Sequence, residues 1–248
     1  MFKKILFFGR KNDINSKKVL SLIKRKSKIV KVIWSTNPED KLKLKNLLKH
    51  NYDYIFSFRS FIILRKNLIK KAKYAAINFH PGPPEFRGIG CLNFAIFKNA
   101  KFYGVTAHVM DKKIDYGKII NVNRFEILKR DNVDSLLNKT HKKLLSQARK
   151  IIDLLSKNPY NLNKLIHKSK NEKWSKKITR RADIDEFYKI SSTTTKKNLI
   201  KKIRATYSKK FKPYFLIHNF KFILSDSNSE GISECKNKYR DKYRNKKI

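Results

Sequence analysis

Three polar side chains have the types and spacing to act together on one reacting carbon. Asn78 and His80 lie two residues apart at the end of an apolar run, so both side chains leave the same face of an extended strand. Asp115 lies in a polar loop that follows a later predicted strand, and such a loop can return to the same edge of a sheet. An amide, an imidazole and a carboxylate are therefore expected to meet.

This combination of groups suits acyl transfer to an amine. An amine that attacks a carbonyl carbon creates an oxyanion and a surplus proton on nitrogen. The Asn78 amide can donate to the oxyanion, and the His80 imidazole can do the same or shuttle the proton. The Asp115 carboxylate can orient the imidazole, hold it protonated, or receive the proton through water. A serine or cysteine nucleophile is not required, because the amine is itself the nucleophile.

The elements that must position these groups begin with a rigid loop after His80. Residues 81–84 contain three prolines and a glycine, which end the strand, and Gly88 permits backbone conformations that other residues resist. In open α/β sheets, ligands bind beyond the carboxyl ends of strands. The loop is therefore expected to border a binding site.

The rest of the first 160 residues alternates between strand and helix patterns, which predicts a doubly wound, mostly parallel sheet. Gly9 alone does not make a dinucleotide fingerprint, so a nicotinamide cofactor is not expected. The strands are predicted at 4–8, 29–34, 54–58, 75–79, 105–110 and 119–122, and the helices at 16–26, 42–48, 62–71, 90–97 and 133–155.

The chain after the longest helix is less regular. Asp131 is predicted to cap the helix at 133–155, and Pro159 follows the end of that helix. A further helix at 195–206 and a hairpin around residues 214–224 are expected. We predict a catalytic domain at 1–158, a small α+β subdomain at 159–226 and a basic, disordered tail at 227–248.

The formal charge of +42 is extreme, but the basic residues are spread along the whole chain. Compositional drift is the favoured explanation, and a polyanion partner such as nucleic acid stays open without being favoured. Cys91 and Cys235 make neither a disulfide framework nor metal-ligand spacing, which favours a cytoplasmic protein without a metal. Since no apolar run reaches about 18 residues, no membrane span is expected.

The motifs around the three polar residues resemble those of the formyltransferase family, which uses N10-formyltetrahydrofolate. The resemblance covers roughly residues 3–155 and implies a Rossmann-like α/β domain with Asn78, His80 and Asp115 as its catalytic groups. It is carried by Asn78-Phe79-His80-Pro81-Gly82, Arg87-Gly88, residues 106–111 and residues 114–120.

The resemblance also implies a pocket for the folate co-substrate and a site for the acceptor, both close to the catalytic groups. Arg87 could bind a substrate phosphate or hold the proline loop, His108 could support the site or be structural, and Cys91 is expected to pack in the core. The implied folate-binding residues are Ile62, Ile63, Leu64, Asp111 and Ile114, and the implied acceptor-binding residues are Arg87, Gly90 and Asn93.

Within that family, residues 88–93 and the short C-terminal part resemble the nucleotide-sugar N-formyltransferases, which act on a dTDP-linked amino-dideoxy sugar. A methionyl-tRNA formyltransferase is the alternative that the charge favours, but the basic insertion and the C-terminal barrel of those enzymes are missing here. A basic RNA-binding protein on a decayed scaffold is a further alternative, against which the intact trio argues. The sugar is not identified, and a homodimer is left open.

Overall fold

The computed structural model describes residues 1–37, 45–218 and 220–225. The predicted tail at 227–248 and the start of the helix predicted at 42–48 lie outside these residues. The elements are, in order, β1 (Phe2–Arg10), α1 (Ile14–Arg25), β2 (Ser27–Ser35), α2 (Lys45–Leu48), β3 (Tyr52–Phe58), α3 (Lys66–Ile69), β4 (Ala72–His80), β5 (Arg87–Gly88), α4 (Cys91–Phe97), β6 (Phe102–Val109), β7 (Ile119–Glu126), α5 (Val133–Lys157), α6 (Asn161–Lys168), β8 (Ile178–Thr179), α7 (Arg181–Tyr188), β9 (Lys189–Ile190), α8 (Lys196–Thr206), β10 (Tyr214–Ile217) and β11 (Phe220–Ile223).

The central sheet has six strands in the order β2-β1-β3-β4-β6-β7. The pairs among β1, β2, β3 and β4 are parallel, whereas β6 pairs antiparallel with both β4 and β7. The predicted α/β class with a mostly parallel sheet is confirmed. The candidate site residues lie at the junction between β4 and β6, where the strand direction reverses.

The sheet is covered on both faces because apolar side chains alternate along buried strands. On β1, Ile5 and Phe7 join the cluster packed by α1 and α5, while Leu6 and Phe8 join the opposite cluster with Leu47 of α2. All four of these β1 side chains are fully buried. The result is a three-layer sandwich that fixes the carboxyl ends of its strands.

Two details of the predicted helices are wrong. Asn132, not Asp131, caps α5, because its extended backbone lets its side chain accept from the Ser135 amide at 2.9 Å. Asp131 instead accepts hydrogen bonds from the Leu128 amide and from Lys139. The helix predicted at 62–71 shrinks to α3, since the chain before Arg65 is an irregular loop.

The residues beyond α5 pack onto the main domain in two places. Leu162 of α6 joins the cluster under the sheet, and Ala205 of α8 joins a third cluster with Cys91 and Tyr103. The predicted hairpin is confirmed as β10 and β11, which pair antiparallel. Within the described ranges, no helix has both the length and the apolar character needed to cross a bilayer.

Candidate active site

Asn78 and His80 stand at the carboxyl end of β4, on the face predicted from their spacing. In the antiparallel register with β6, Asn78 lies opposite His108 and His80 lies opposite Thr106. His80 is almost completely buried, and Asn78 is partly exposed. The strand end therefore presents an amide and an imidazole side by side.

The proline loop after His80 is held in place by β6. The Thr106 hydroxyl donates to the carbonyl of Gly82 at 2.7 Å, and the Tyr103 hydroxyl donates to the carbonyl of Pro81 at 2.9 Å. Two buried side chains of one strand thus fix the loop that borders the imidazole. The rigidity expected from the prolines is reinforced by these two bonds.

Asp115 returns to this edge from the loop between β6 and β7. One carboxylate oxygen lies 3.6 Å from Nδ1 of His80, and the other lies 3.4 Å from Nε2 of His108. Asp115 has a left-handed φ of 47°. Gly117 must be glycine, since a Cβ there would lie 1.8 Å from the carbonyl oxygen of Val109. This close approach fixes the turn that brings the carboxylate back.

His108 lies between Asn78 and Asp115 and is therefore part of the site. Its position in the sequence had left that role undecided. Its Nδ1 is 3.0 Å from the carbonyl oxygen of Val109, which only a protonated nitrogen can satisfy. Its Nε2 lies 3.2 Å from the Asn78 amide nitrogen as well as near Asp115. This nitrogen can accept from the amide or donate to the carboxylate, but not both at once.

Burial and charge set the protonation states of His80 and Asp115 in opposite ways. Burial lowers the pKa of His80 below its ordinary 6.5, and the nearby Asp115 charge only partly offsets this effect. Burial alone would raise the pKa of Asp115, but His80, His108 and Arg87 outweigh it and lower that pKa to about 2. At pH 7 these shifts favour a neutral imidazole on His80 beside an ionised carboxylate on Asp115.

The three predicted acceptor residues occupy different environments. Arg87 is buried, donates to the Ile114 carbonyl at 2.6 Å and lies over the Tyr116 ring, while its Nε has no hydrogen-bond partner in the described structure. Gly90 precedes α4 with a left-handed φ of 71°. The Asn93 amide is buried and donates to the carbonyl of Ala205 at 2.7 Å. Binding of the acceptor by these residues stays a prediction.

The predicted folate residues lie on two loops, one before α3 and one after β6. Ile63 is 68% exposed, whereas Leu64 is buried in the cluster that includes Leu47. Ile62 is half-buried, and its amide donates to the Ser60 hydroxyl. The loop after β6 presents Ile114, 50% exposed, and the exposed Asp111. Their role in folate binding stays a prediction.

Trp174 borders the site, a role that its place in the sequence did not indicate. Its ring is 6.1 Å from the His80 ring and 5.1 Å from the His108 ring, in edge-on geometry. Its indole N–H donates to the carbonyl of Gly117 at 2.8 Å. No local pattern could have found this residue, because it lies far along the chain in an irregular segment.

A substitution at Gly82 should displace the His80 imidazole without replacing any of the three candidate catalytic residues. A Cβ at this position would lie 2.8 Å from Nε2 of His80 and 3.1 Å from Sγ of Cys91. We expect Gly82→Ala to turn the His80 ring and lower kcat by about tenfold to a hundredfold, because small misplacements are costly in catalysis. Steady-state kinetics beside a thermal melt checks this, and a folded variant with wild-type kcat would contradict it.

No group of three or more histidine, cysteine, aspartate or glutamate side chains within the described ranges is arranged to hold a metal ion. An amide, a neutral imidazole and an ionised carboxylate can bind a developing oxyanion and take up a proton.

Comparison of sequences finds ArnA and methionyl-tRNA formyltransferases among the relatives of this chain. The chain is 30% identical over 164 residues to the bifunctional polymyxin resistance protein ArnA of Wigglesworthia glossinidia brevipalpis, covering 64% of this chain and 25% of ArnA. It is 28% identical over 174 residues to the methionyl-tRNA formyltransferase of Ehrlichia ruminantium, covering 70% of this chain and 53% of that enzyme. The chain thus spans about half the length of the tRNA enzyme and a quarter of ArnA.

Comparison of structures gives matches along almost the whole chain. A 4-N formyltransferase from Francisella tularensis superposes with a TM-score of 0.68 at 24% identity, covering 90% of this chain and 96% of that one. An N-formyltransferase from Helicobacter canadensis, solved with folinic acid and dTDP-3-aminofucose, gives 0.63 at 22% identity, covering 89% and 86%. At these identities the likeness concerns the fold.

The family assignment comes from the sequence of the first 150 residues or so. The formyl transferase family model matches residues 3–147, which is more than half of the 248-residue chain. This range includes Asn78, His80 and Asp115. The chain belongs to the formyl transferase family.

Proposed function

We propose that this protein transfers the formyl group of N10-formyltetrahydrofolate to an amine of a nucleotide-linked amino sugar, with dTDP as the expected nucleotide. The observation that carries the proposal is the meeting of Asp115 with His80 and His108, beside the Asn78 amide, at one edge of the sheet. The cytoplasm, where a soluble folate donor would be supplied, is the proposed location.

In the proposed reaction, the amine nitrogen of the acceptor attacks the formyl carbon, and a carbon–nitrogen bond forms as the carbonyl becomes an oxyanion. Asn78 donates to this oxyanion. The neutral His80 and the ionised Asp115 take the proton that the amine loses. The oxyanion then collapses, the bond to N10 of the folate breaks, and N10 receives a proton to give tetrahydrofolate and a formamide.

The proteins of similar fold support a sugar acceptor. In the structural superposition the chain covers 96% of the Francisella 4-N formyltransferase. The Helicobacter N-formyltransferase of similar fold was solved with folinic acid and dTDP-3-aminofucose. We therefore expect a nucleotide-linked amino sugar to bind beside the folate.

Methionyl-tRNA is the second candidate acceptor, because the net charge of +42 and the sequence relatives favour it. Binding to tRNA would release counterions, so its affinity would fall steeply with salt. A decayed enzyme that only binds RNA would keep this salt dependence without any transfer.

The test is to incubate the protein with N10-formyltetrahydrofolate and either a panel of dTDP-linked amino sugars or charged initiator methionyl-tRNA. Mass spectrometry would detect the added formyl group. We expect formylation of a sugar amine, and the rate should change little with salt. Transfer only to the tRNA would contradict the proposal of a sugar acceptor. Tight RNA binding without transfer to either acceptor would contradict the proposal that the protein is an enzyme.

A further inference from the structure

A segment outside the family-matched range runs along the edge of the site. We call residues 169–179 the strap. The Ser169 hydroxyl donates to the carbonyl of Ile120 at 2.9 Å, which fixes the start of the strap on β7. Its end pairs with β5, which follows the proline loop. The strand β8 lies parallel to β5, and the Thr179 hydroxyl donates to the carbonyl of Arg87 at 2.9 Å.

The middle of the strap is bonded to β7 and to the proline loop. Glu172 accepts two hydrogen bonds from Arg124, which also pairs with Glu85 of the proline loop. The Ser175 amide donates to the carbonyl of Pro84 at 2.9 Å. The strap is therefore tied to the proline loop at several points along its length, and its path is defined by that loop.

Trp174 is where the strap touches the catalytic groups. Its N–H donates to the carbonyl of Gly117, two residues after Asp115, and its ring packs edge-on against His80 and His108. Gly117 is fixed on its other side by its close approach to the carbonyl of Val109. One side chain thus bridges the loop that carries the carboxylate and the rings that the carboxylate faces.

We propose that Trp174 is a positioning residue, which holds the Asp115 loop against the two imidazoles and so makes the strap a part of the active site. This role rests on the proposed function for its effect on rate. The indole N–H sets the position of the loop, and the indole ring excludes water from one side of the imidazoles. A residue that merely filled space in the C-terminal part would have neither effect.

The kinetic test compares two substitutions that separate the N–H from the ring. Trp174→Phe keeps an aromatic ring but loses the hydrogen bond, and we expect kcat to fall about tenfold. Trp174→Ala loses both, and we expect a fall of about a hundredfold with KM for the folate donor changed by less than about threefold. Thermal melts establish that the variants fold. Wild-type kcat in a folded Trp174→Ala protein would overturn the proposal.

A second measurement does not depend on activity. Hydrogen exchange of the backbone amides in residues 111–117 should be faster in Trp174→Phe than in the wild type, because the loop loses its bond to the strap. The matched control is Trp34→Phe, because Trp34 lies on β2, packs against Phe7 of β1, and is separated from β4 by β1 and β3 in the sheet. Unchanged exchange in Trp174→Phe would overturn the positioning role, whether or not the wild-type protein transfers a formyl group. Absence of formyl transfer by the wild type would instead contradict the proposed function.

Discussion

Replacement of His80 by alanine is expected to lower kcat for formyl transfer by about three orders of magnitude while folate binding survives. The imidazole is buried, neutral at pH 7 and faces the Asp115 carboxylate at 3.6 Å. Its loss removes the group next to the carboxylate that can accept the proton of the attacking amine. The binding of tetrahydrofolate should change little, because the predicted folate residues lie on other loops.

Single-turnover kinetics and a binding titration with tetrahydrofolate would measure the two effects separately. The matched control is His141→Ala on α5, because burial lowers the pKa of that histidine too, to about 4, while it faces Arg59 and Asp13 instead of the site. We expect the control to keep nearly the wild-type rate. A His80→Ala protein with near-normal activity would refute the catalytic assignment.

Replacement of Asp115 by asparagine is expected to lower kcat by a similar factor, about a thousandfold. Asparagine can take the same space but has no negative charge and cannot accept a proton. The substitution should also lower the pKa of His80 further, because the carboxylate is the neighbour that raises it against the effect of burial. The two consequences can be measured on the same protein.

The His80 titration can be followed by NMR, beside the kcat of the variant. In the wild type the midpoint should lie below 6.5, and in Asp115→Asn it should move to still lower pH. Asp131→Asn is the matched control, because Asp131 is an equally buried carboxylate, bonded to Lys139 instead of to the site. An upward shift in the pKa of His80, or a kcat within tenfold of the wild type, would contradict the role of Asp115.

The neighbouring positions of Asn78 and His80 could be predicted because their signal is local. The two-residue spacing fixes their shared face on any strand. The return of Asp115 to that face depends on the tight turn at Gly117, which strand patterns alone do not give. His108 could be suspected from the alternation of β6, but its place between Asn78 and Asp115 depends on the strand register, which a single sequence does not give.

The errors lie where contacts that a local pattern does not show decide the structure. The helix predicted at 62–71 is shortened to α3, because Arg65 is extended. The hydroxyls of Ser35 and Ser60 accept from the amides of Phe61 and Ile62 in the loop before it. The cap of α5 is Asn132 and not Asp131, because Asn132 accepts from the Ser135 amide whereas Asp131 accepts from the Leu128 amide. Trp174 reaches the site only through the path of the strap, so no pattern near the trio could reveal it.

The measurement that tests the central claim most directly is the kcat of the Asn78→Ala/His80→Ala double variant beside the two single variants. If both side chains act on one reacting carbon together with Asp115, the double variant should be about as slow as the slower single variant, because residues that act as a unit are not additive. If the two losses in rate instead multiply, the side chains act independently, and the account of one shared site is wrong.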